Sequence, residues 1–156
     1  MQSLIQFSVF LVNKPGVLSQ VCTELAKAKV NITAMAMMDS MEHGVLRLIT
    51  DAPDRTRLVL RKLNIPTTET DVLSVDMPNR PGAVADICER LSQGHVHISY
   101  VYCTTGEKGG RTMGIFKTSD MKKAQKLIEE HRNERRDMKI KLRRPQAARM
   151  AGGMRR

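Results

Sequence analysis

The stretch NKPGVL at Asn13–Leu18 returns as NRPGAV at Asn79–Val84, 66 residues later. The same offset pairs Val9 with Val75, Cys22 with Cys88, Leu25 with Leu91, Val30 with Val96 and Ile32 with Ile98. Continued further, it sets Gly44 against Gly110 and Ile49 against Ile115. One such repeat in a chain of 156 residues predicts two small units of the same kind in tandem. Units of this size bury only about 60% of their unfolded surface, so each should lean on the other or on a second chain.

The residues before the first motif, Phe7–Val12, are apolar and partly β-branched, and they stop at Asn-Lys-Pro-Gly: a strand followed by a turn. After it, Val17, Leu18, Val21, Cys22, Leu25 and Ala28 recur at helical spacing, with Pro15 suited to a first helical turn. Val30–Met38 alternates as a strand, with Ile32, Ala34, Ala36 and Met38 on one face. Val45–Thr50 is a third strand. A helix from Asp51 to about Leu63 follows, with Asp54 as its N-cap, and Ile65–Asp71 forms a short connection with room for an edge strand. The second copy reads as a strand at Val72–Met77, a helix from Pro81 to Ser92, and strands at Val96–Cys103 and Thr112–Lys117. A helix from Ser119 to His131 and a last strand at Met138–Leu142 complete it. This βαββαβ order, met twice, predicts an α+β fold of two ferredoxin-like domains, each an antiparallel sheet with its helices on one face. The domains fall at 1–70 and 71–142, followed by a tail at 143–156.

In the first strand Phe7, Val9 and Leu11 should face the helices. Phe10 and Val12 then lie on the other face and are apolar too, so another unit should partly cover the outer sheet face of copy one.

A 41% hydrophobic, 27% charged composition suits a globular protein. The net charge of +10 is uneven: residues 131–156 hold ten Lys/Arg against two acidic residues, leaving +2 for the rest. The last segment, RRPQAARMAGGMRR, has no periodicity and reads as a mobile basic tail, either simply solvated or in contact with nucleic-acid phosphates. Three cysteines without a CxxC pair give no disulfide framework, and no apolar run approaches 18 residues. These features predict a cytoplasmic protein with no membrane contact.

Gly16 and Gly82 stand where a strand ends and a helix begins. A glycine there lets another group approach the backbone, and the free N–H groups of a helix N-terminus suit a carboxylate. The neighbouring Asn13 and Asn79 side chains offer donors and acceptors. The combination fits an α-amino acid; the same residues also serve as a plain strand-to-helix turn with a capping Asn. His95 and His97, two apart on a strand, are too few for a metal site. Tyr100 and Tyr102 share a strand face and suit sheet packing or an interface between units, as do Met35, Met37, Met38 and Met41. Glu107–Arg111 reads as a hairpin loop without a phosphate-binding pattern. No triad or converging carboxylates are evident, which predicts no enzyme activity and no cofactor. The βαββαβ order also occurs in RNA-recognition motifs, but Val45–Thr50 lacks the aromatics that stack bases there.

The runs FLVNKPGVLSQVCTELAKAKVNITAM at Phe10–Met35 and DMPNRPGAVADICERLSQGHVHISYVY at Asp76–Tyr102 each resemble the first half of an ACT domain, a small-molecule-binding regulatory module. The resemblance covers roughly residues 5–130. It implies an amino acid ligand held between domains placed side by side, a homodimer or higher oligomer, and a regulated protein partner. By the same resemblance the polar ligand contacts are Asn13 and Asn31 in copy one, and Asn79 and His97 in copy two. Lys14, Pro15, Gly16, Val17, Leu18 and Ile32 would line the first site, and Arg80, Gly82, Ala83 and Val84 the second. His97 departs from the family's Asn, so the two sites are not expected to be identical.

Overall fold

The computed structural model describes residues 1–38, 43–104 and 110–143. Its elements in chain order are β1 (Gln2–Val12), α1 (Val17–Lys27), β2 (Ile32–Met38), β3 (His43–Thr50), α2 (Pro53–Lys62), β4 (Thr67–Pro78), α3 (Ala83–Gln93), β5 (Ile98–Thr104), β6 (Arg111–Thr118) and α4 (Met121–Arg143). This is the expected α+β architecture with ferredoxin-like order and helices outside an antiparallel sheet. Of the basic tail expected at 143–156, Arg143 is the last residue of α4; residues 144–156, Met41 and most of the Glu107–Arg111 loop lie outside the described residues.

The two sheets are fused into one of six strands, ordered β2-β3-β1-β4-β6-β5. β4 is 12 residues long because it serves both repeats. Its first half, Thr67–Thr70, pairs with Val9–Gln6 of β1 as the fourth strand of repeat one, and its second half, Leu73–Pro78, pairs with β6. The first half of β1 does the reciprocal job, Gln2–Ile5 pairing with Ser74–Asp71. Ile5 and Asp71 are direct partners and also differ by the repeat offset, 71 − 5 = 66, so a local two-fold axis passes between them.

This arrangement overturns one expected element. Met138–Leu142 alternates like a strand, but the place beside β4 that it would fill is taken by β1, and α4 continues through it to Arg143. The offset also changes late in the repeat. Met38 pairs with Val45 while Thr104 pairs with Met113, so the second hairpin is longer by two residues. Leu48 therefore matches Phe116, and the expected pairings of Gly44 with Gly110 and Ile49 with Ile115 do not hold.

Two cores lie under the helices. In one, Phe7, Val9 and Leu11 pack on Val21, Leu25 and Leu60; in the other, Leu73, Val75 and Met77 pack on Ile87, Leu91 and Ile128. A third core fills the helix-free face, where the sheet coils back on itself. Ala34, Ile49, Val72 and Ile115 meet there with Leu4, Tyr100 and Tyr102. The outer face of copy one is thus covered by copy two around the fully buried Gln6, whereas Phe10 and Val12, further along β1, stay 37% and 49% exposed. The small pair Ala34/Ala36 on β2 and the large pair Tyr100/Tyr102 on β5 are repeat equivalents, so one half supplies the volume the other leaves.

A bulge between Ile32 and Ala34 breaks the alternation read from the sequence. Ile32 packs under the helices and Ala34 on the opposite face. β5 has the matching bulge between Ile98 and Tyr100.

Candidate functional site

Gly16 and Gly82 are the N-caps of α1 and α3, with φ of +89° and +81°. A side chain is strained in that region, which accounts for glycine at both positions. The turns are built alike. Lys14 N–H donates to Val12 O (2.8 Å) and Arg80 N–H to Pro78 O (3.0 Å); Gln20 N–H donates to Gly16 O and Asp86 N–H to Gly82 O, both at 2.9 Å. The residue at each N-cap is itself a glycine and has no side chain with which to cap the helix.

The two turns differ in what lies over the glycine. Around Gly16 there is open space: no atom lies within 4 Å of where a Cβ would sit, and α1 carries no acidic residue in its first turn. At Gly82 the Arg80 guanidinium lies 3.5 Å from that point. It donates to Asp86 Oδ2 (2.5 Å) and to Pro81 O (2.9 Å). Asp86 sits in the first turn of α3, so the electropositive end of that helix already has a carboxylate of its own. In copy one the equivalents are Lys14 and Gln20, which cannot form that ion pair. Comparing the copies at these two positions was the signal for the asymmetry.

Of the other expected ligand contacts, Pro15, Gly16, Lys14 and Asn13 are exposed on the first turn, with Val17 and Leu18 half-buried behind them; in the second, Arg80, Gly82 and Val84 are exposed, Asn79 is half-buried and Ala83 is buried. Asn31 and His97 open the two edge strands. Asn31 N–H donates to Asp51 Oδ1 (2.9 Å) and Asp51 N–H to Asn31 O (3.1 Å). His97 N–H donates to Ser119 Oγ (3.1 Å) and Ser119 N–H to His97 O (2.9 Å). The backbone is tied and the residue exposed in each case. Within one chain Asn31 is not near the Gly16 turn. Val12 pairs with His43 and Ile32 with Thr50, seven residues apart on β3, or roughly 24 Å along the strand.

His95 precedes β5 and adopts φ +53°, as Lys29 does at +54° in the equivalent place, so both end a helix rather than align along a strand face. Among the described residues no group of three His, Cys, Asp or Glu could hold a metal ion, and no helix is long and apolar enough to cross a membrane. Burial, with a smaller contribution from Cys88, raises the Cys103 thiol, the opposite of an activated nucleophile. A cavity of about 190 Å³ between α2 and the start of β4 lies away from the glycine turns. Its polar wall is Arg57, which already donates to both carboxylate oxygens of Glu69 at 2.6 and 2.8 Å.

Two side chains on the helix-free face were not singled out from sequence. Gln6 Nε2 donates to the Tyr100 hydroxyl (2.8 Å), and the Tyr102 hydroxyl donates to Gln6 Oε1 (3.1 Å). The Arg47 guanidinium stacks 3.4 Å over the Tyr100 ring, and its Nε is buried without a hydrogen-bond partner. Gln6, a polar residue inside the apolar run Leu4–Val12, was the available clue.

Residues 2–138 match the family model described as an ACT domain pair. The chain is similar to the crystal structure of protein BT0572 from Bacteroides thetaiotaomicron, at 31% identity over 83% of this chain and 89% of that one, with a TM-score of 0.78. It shares its fold with the ligand-free regulatory subunit of aspartate kinase from Thermus thermophilus, at 11% identity over 83% and 97% of the two chains and a TM-score of 0.62. The aspartokinase alpha and beta subunits, at 16% identity over 85% and 98%, give 0.55. No curated protein sequence matches. The matched span includes both glycine turns and all six strands, and the chain belongs to the ACT domain family as a fused pair of ACT domains.

Proposed function

We propose that this chain is a non-catalytic, ligand-responsive regulatory protein that binds a small metabolite with an α-amino acid group at the Gly16 turn. The observation that carries this reading is the contrast between the two turns: Gly16 is open, whereas Gly82 is covered by Arg80 and its helix already holds Asp86. A ligand carboxylate at the N-terminus of α1 would occupy the position that Asp86 has in α3. Lys14 and Asn13 lie beside it for the remaining polar groups.

Because Asn31 is far from Gly16 within the chain, a site that uses both draws them from two chains. We therefore infer a homodimer or larger assembly of repeats 1–70 and 71–142, in the cytoplasm, with ligand bound where the chains meet. Occupancy would favour one arrangement of the assembly over another and so reach a regulated partner. The regulatory aspartate kinase subunit of the same fold gives a precedent for this division of labour.

The test is thermal unfolding against the twenty amino acids and related metabolites, followed by sedimentation with and without the ligand found. A ligand at 100 times its Kd should stabilise by about 2.7 kcal/mol. The response should disappear in Asn13→Ala and survive in Asn79→Ala. No response to any compound in folded protein would leave a protein-interaction module with structural glycine turns.

A further inference from the structure

The local two-fold axis between Ile5 and Asp71 relates Thr67 to Met1, since 67 − 1 = 66, and Phe7 to Leu73. Beyond the longer second hairpin, where Leu48 matches Phe116, the same axis relates Leu60 to Ile128. Met1 packs against the core that holds Leu73 and Ile128. Thr67 supplies no such bulk, and its hydroxyl turns back to donate to Ile65 O (2.9 Å). Beside it, against Phe7 and Leu60, lies the cavity of about 190 Å³. A niche that one repeat fills with its own unbranched side chain is thus left unfilled by protein in the other.

The lining sets the chemistry of an occupant. Phe7 and Leu60 are buried and Ile65 is half-buried, and together they form an apolar floor. The exposed members of the lining are Arg61 and Glu69. Arg57 holds Glu69 through two hydrogen bonds and Asp54 through a third (2.7 Å), so these charges satisfy one another. The Arg61 guanidinium makes no hydrogen bond or ion pair to another described residue, and it is the group at the rim that can receive an anion. In the second repeat the counterparts of Arg57 and Arg61 are Gln125 and Glu129, so the cationic rim belongs to the repeat whose niche is open.

We propose that this cavity is a second small-molecule site, which takes a short unbranched aliphatic carboxylate with its chain on Phe7, Leu60 and Ile65 and its carboxylate on Arg61. The chain takes the place that Met1 has in the other repeat. An apolar cavity of about 150 Å³ is enough to hold benzene, so this one has room for a chain of about five or six carbons. A wholly polar anion such as free phosphate is a poorer fit, because the apolar floor gives it no partner for the hydration it would lose. The site is separate from the glycine turns and can be tested without their ligand.

The experiment is an NMR titration of the isotope-labelled full chain with butyrate and with hexanoate. Amides from Leu60 to Glu69 should shift saturably. Hexanoate should bind about 15-fold more tightly than butyrate, since each added methylene in an apolar cavity contributes about fourfold. The decisive variant is Thr67→Met, which supplies from within what Met1 supplies in the other repeat. It should fold with an unchanged or higher melting temperature and bind hexanoate at least about tenfold more weakly. Arg61→Gln leaves the packing alone; it should weaken hexanoate roughly 2- to 5-fold and leave hexanol unchanged. No saturable shift from Leu60 to Glu69, shifts centred on Asn13–Leu18 instead, equal hexanoate affinity in Thr67→Met and the natural chain, or hexanoate and hexanol responding alike to Arg61→Gln would each overturn the proposal.

Discussion

Arg47 and Tyr100 meet 3.4 Å apart across the interior of a sheet in which three strands, β1, β4 and β6, separate their own. The contact exists only because the sheet coils back on itself, so it reports on how the two ACT domains are held. A stacked, partly desolvated guanidinium is worth about 1–2 kcal/mol. Arg47→Leu should therefore cost about that much, and Arg47→Lys should recover only part, because an ammonium lacks the planar face that stacks. A double-mutant cycle with Tyr100→Leu, read by urea unfolding, should give a coupling of about 0.5–2 kcal/mol. Additive single effects would mean that the pair does not couple the domains.

Gln6 is fully buried and holds both tyrosine hydroxyls. Gln6→Leu leaves two polar groups without their partner, and each such group costs about 1–3 kcal/mol where it stays buried. Removing the hydroxyls as well, in Gln6→Leu/Tyr100→Phe/Tyr102→Phe, should restore most of that loss, because no orphan remains. Chemical denaturation of the single and triple variants decides the matter: a triple variant no more stable than Gln6→Leu would show that the network is not the source of the cost.

Both predictions turn on Gln6 and Arg47, which local sequence reading passed over although it placed Tyr100 and Tyr102 at sheet packing or an interface, and the reason is physical. Helices, strands and the glycine turns were legible because their signals are local: Phe7, Val9 and Leu11 alternate, Val21 and Leu25 keep helical spacing, and Gly16 interrupts both. Strand partnership is not local. Nothing within Thr67–Pro78 says that one strand serves two repeats, and Met138–Leu142 has a strand's alternation but no vacant place in the sheet. The bulge at Thr33 moved Ile32 to the helix side for the same reason, since a bulge is defined by the strand opposite. At the candidate site, the motif located both turns. Their difference lay outside it, in Lys14/Gln20 against Arg80/Asp86.

Tyr102 gives a pH test of the coiled sheet. Burial, and secondarily Tyr100, raises its hydroxyl pKa above the usual tyrosine value of about 10. The neutral form is the one the fold accepts. The stabilisation is complete below the unfolded pKa and is lost as pH rises through the folded one. The Tyr102 contribution should thus be flat from neutral pH to about 9.5 and fall above about 10, following an earlier loss from the Cys103 thiol, and Tyr102→Phe should flatten the later part of the fall. Urea midpoints across this range measure it; an unchanged alkaline slope in Tyr102→Phe would assign the fall to other groups.

Gly16→Ala and Gly82→Ala separate backbone strain from ligand access. Both place a side chain at positive φ, which costs about 1–2 kcal/mol, and neither meets a neighbour closer than 3.5 Å. Both proteins should fold with melting temperatures lowered by about 2–8 °C. They should differ in their response to the ligand. At Gly16 the new methyl stands in the open cradle of the first turn, so ligand-induced stabilisation should drop at least tenfold in apparent affinity. At Gly82 it stands under Arg80, beside a carboxylate the chain already supplies, and the response should be unchanged. Isothermal titration of both variants with the ligand found by thermal unfolding makes the comparison. Equal losses would mean that both turns bind, and a loss confined to Gly82→Ala would move the site to the second repeat.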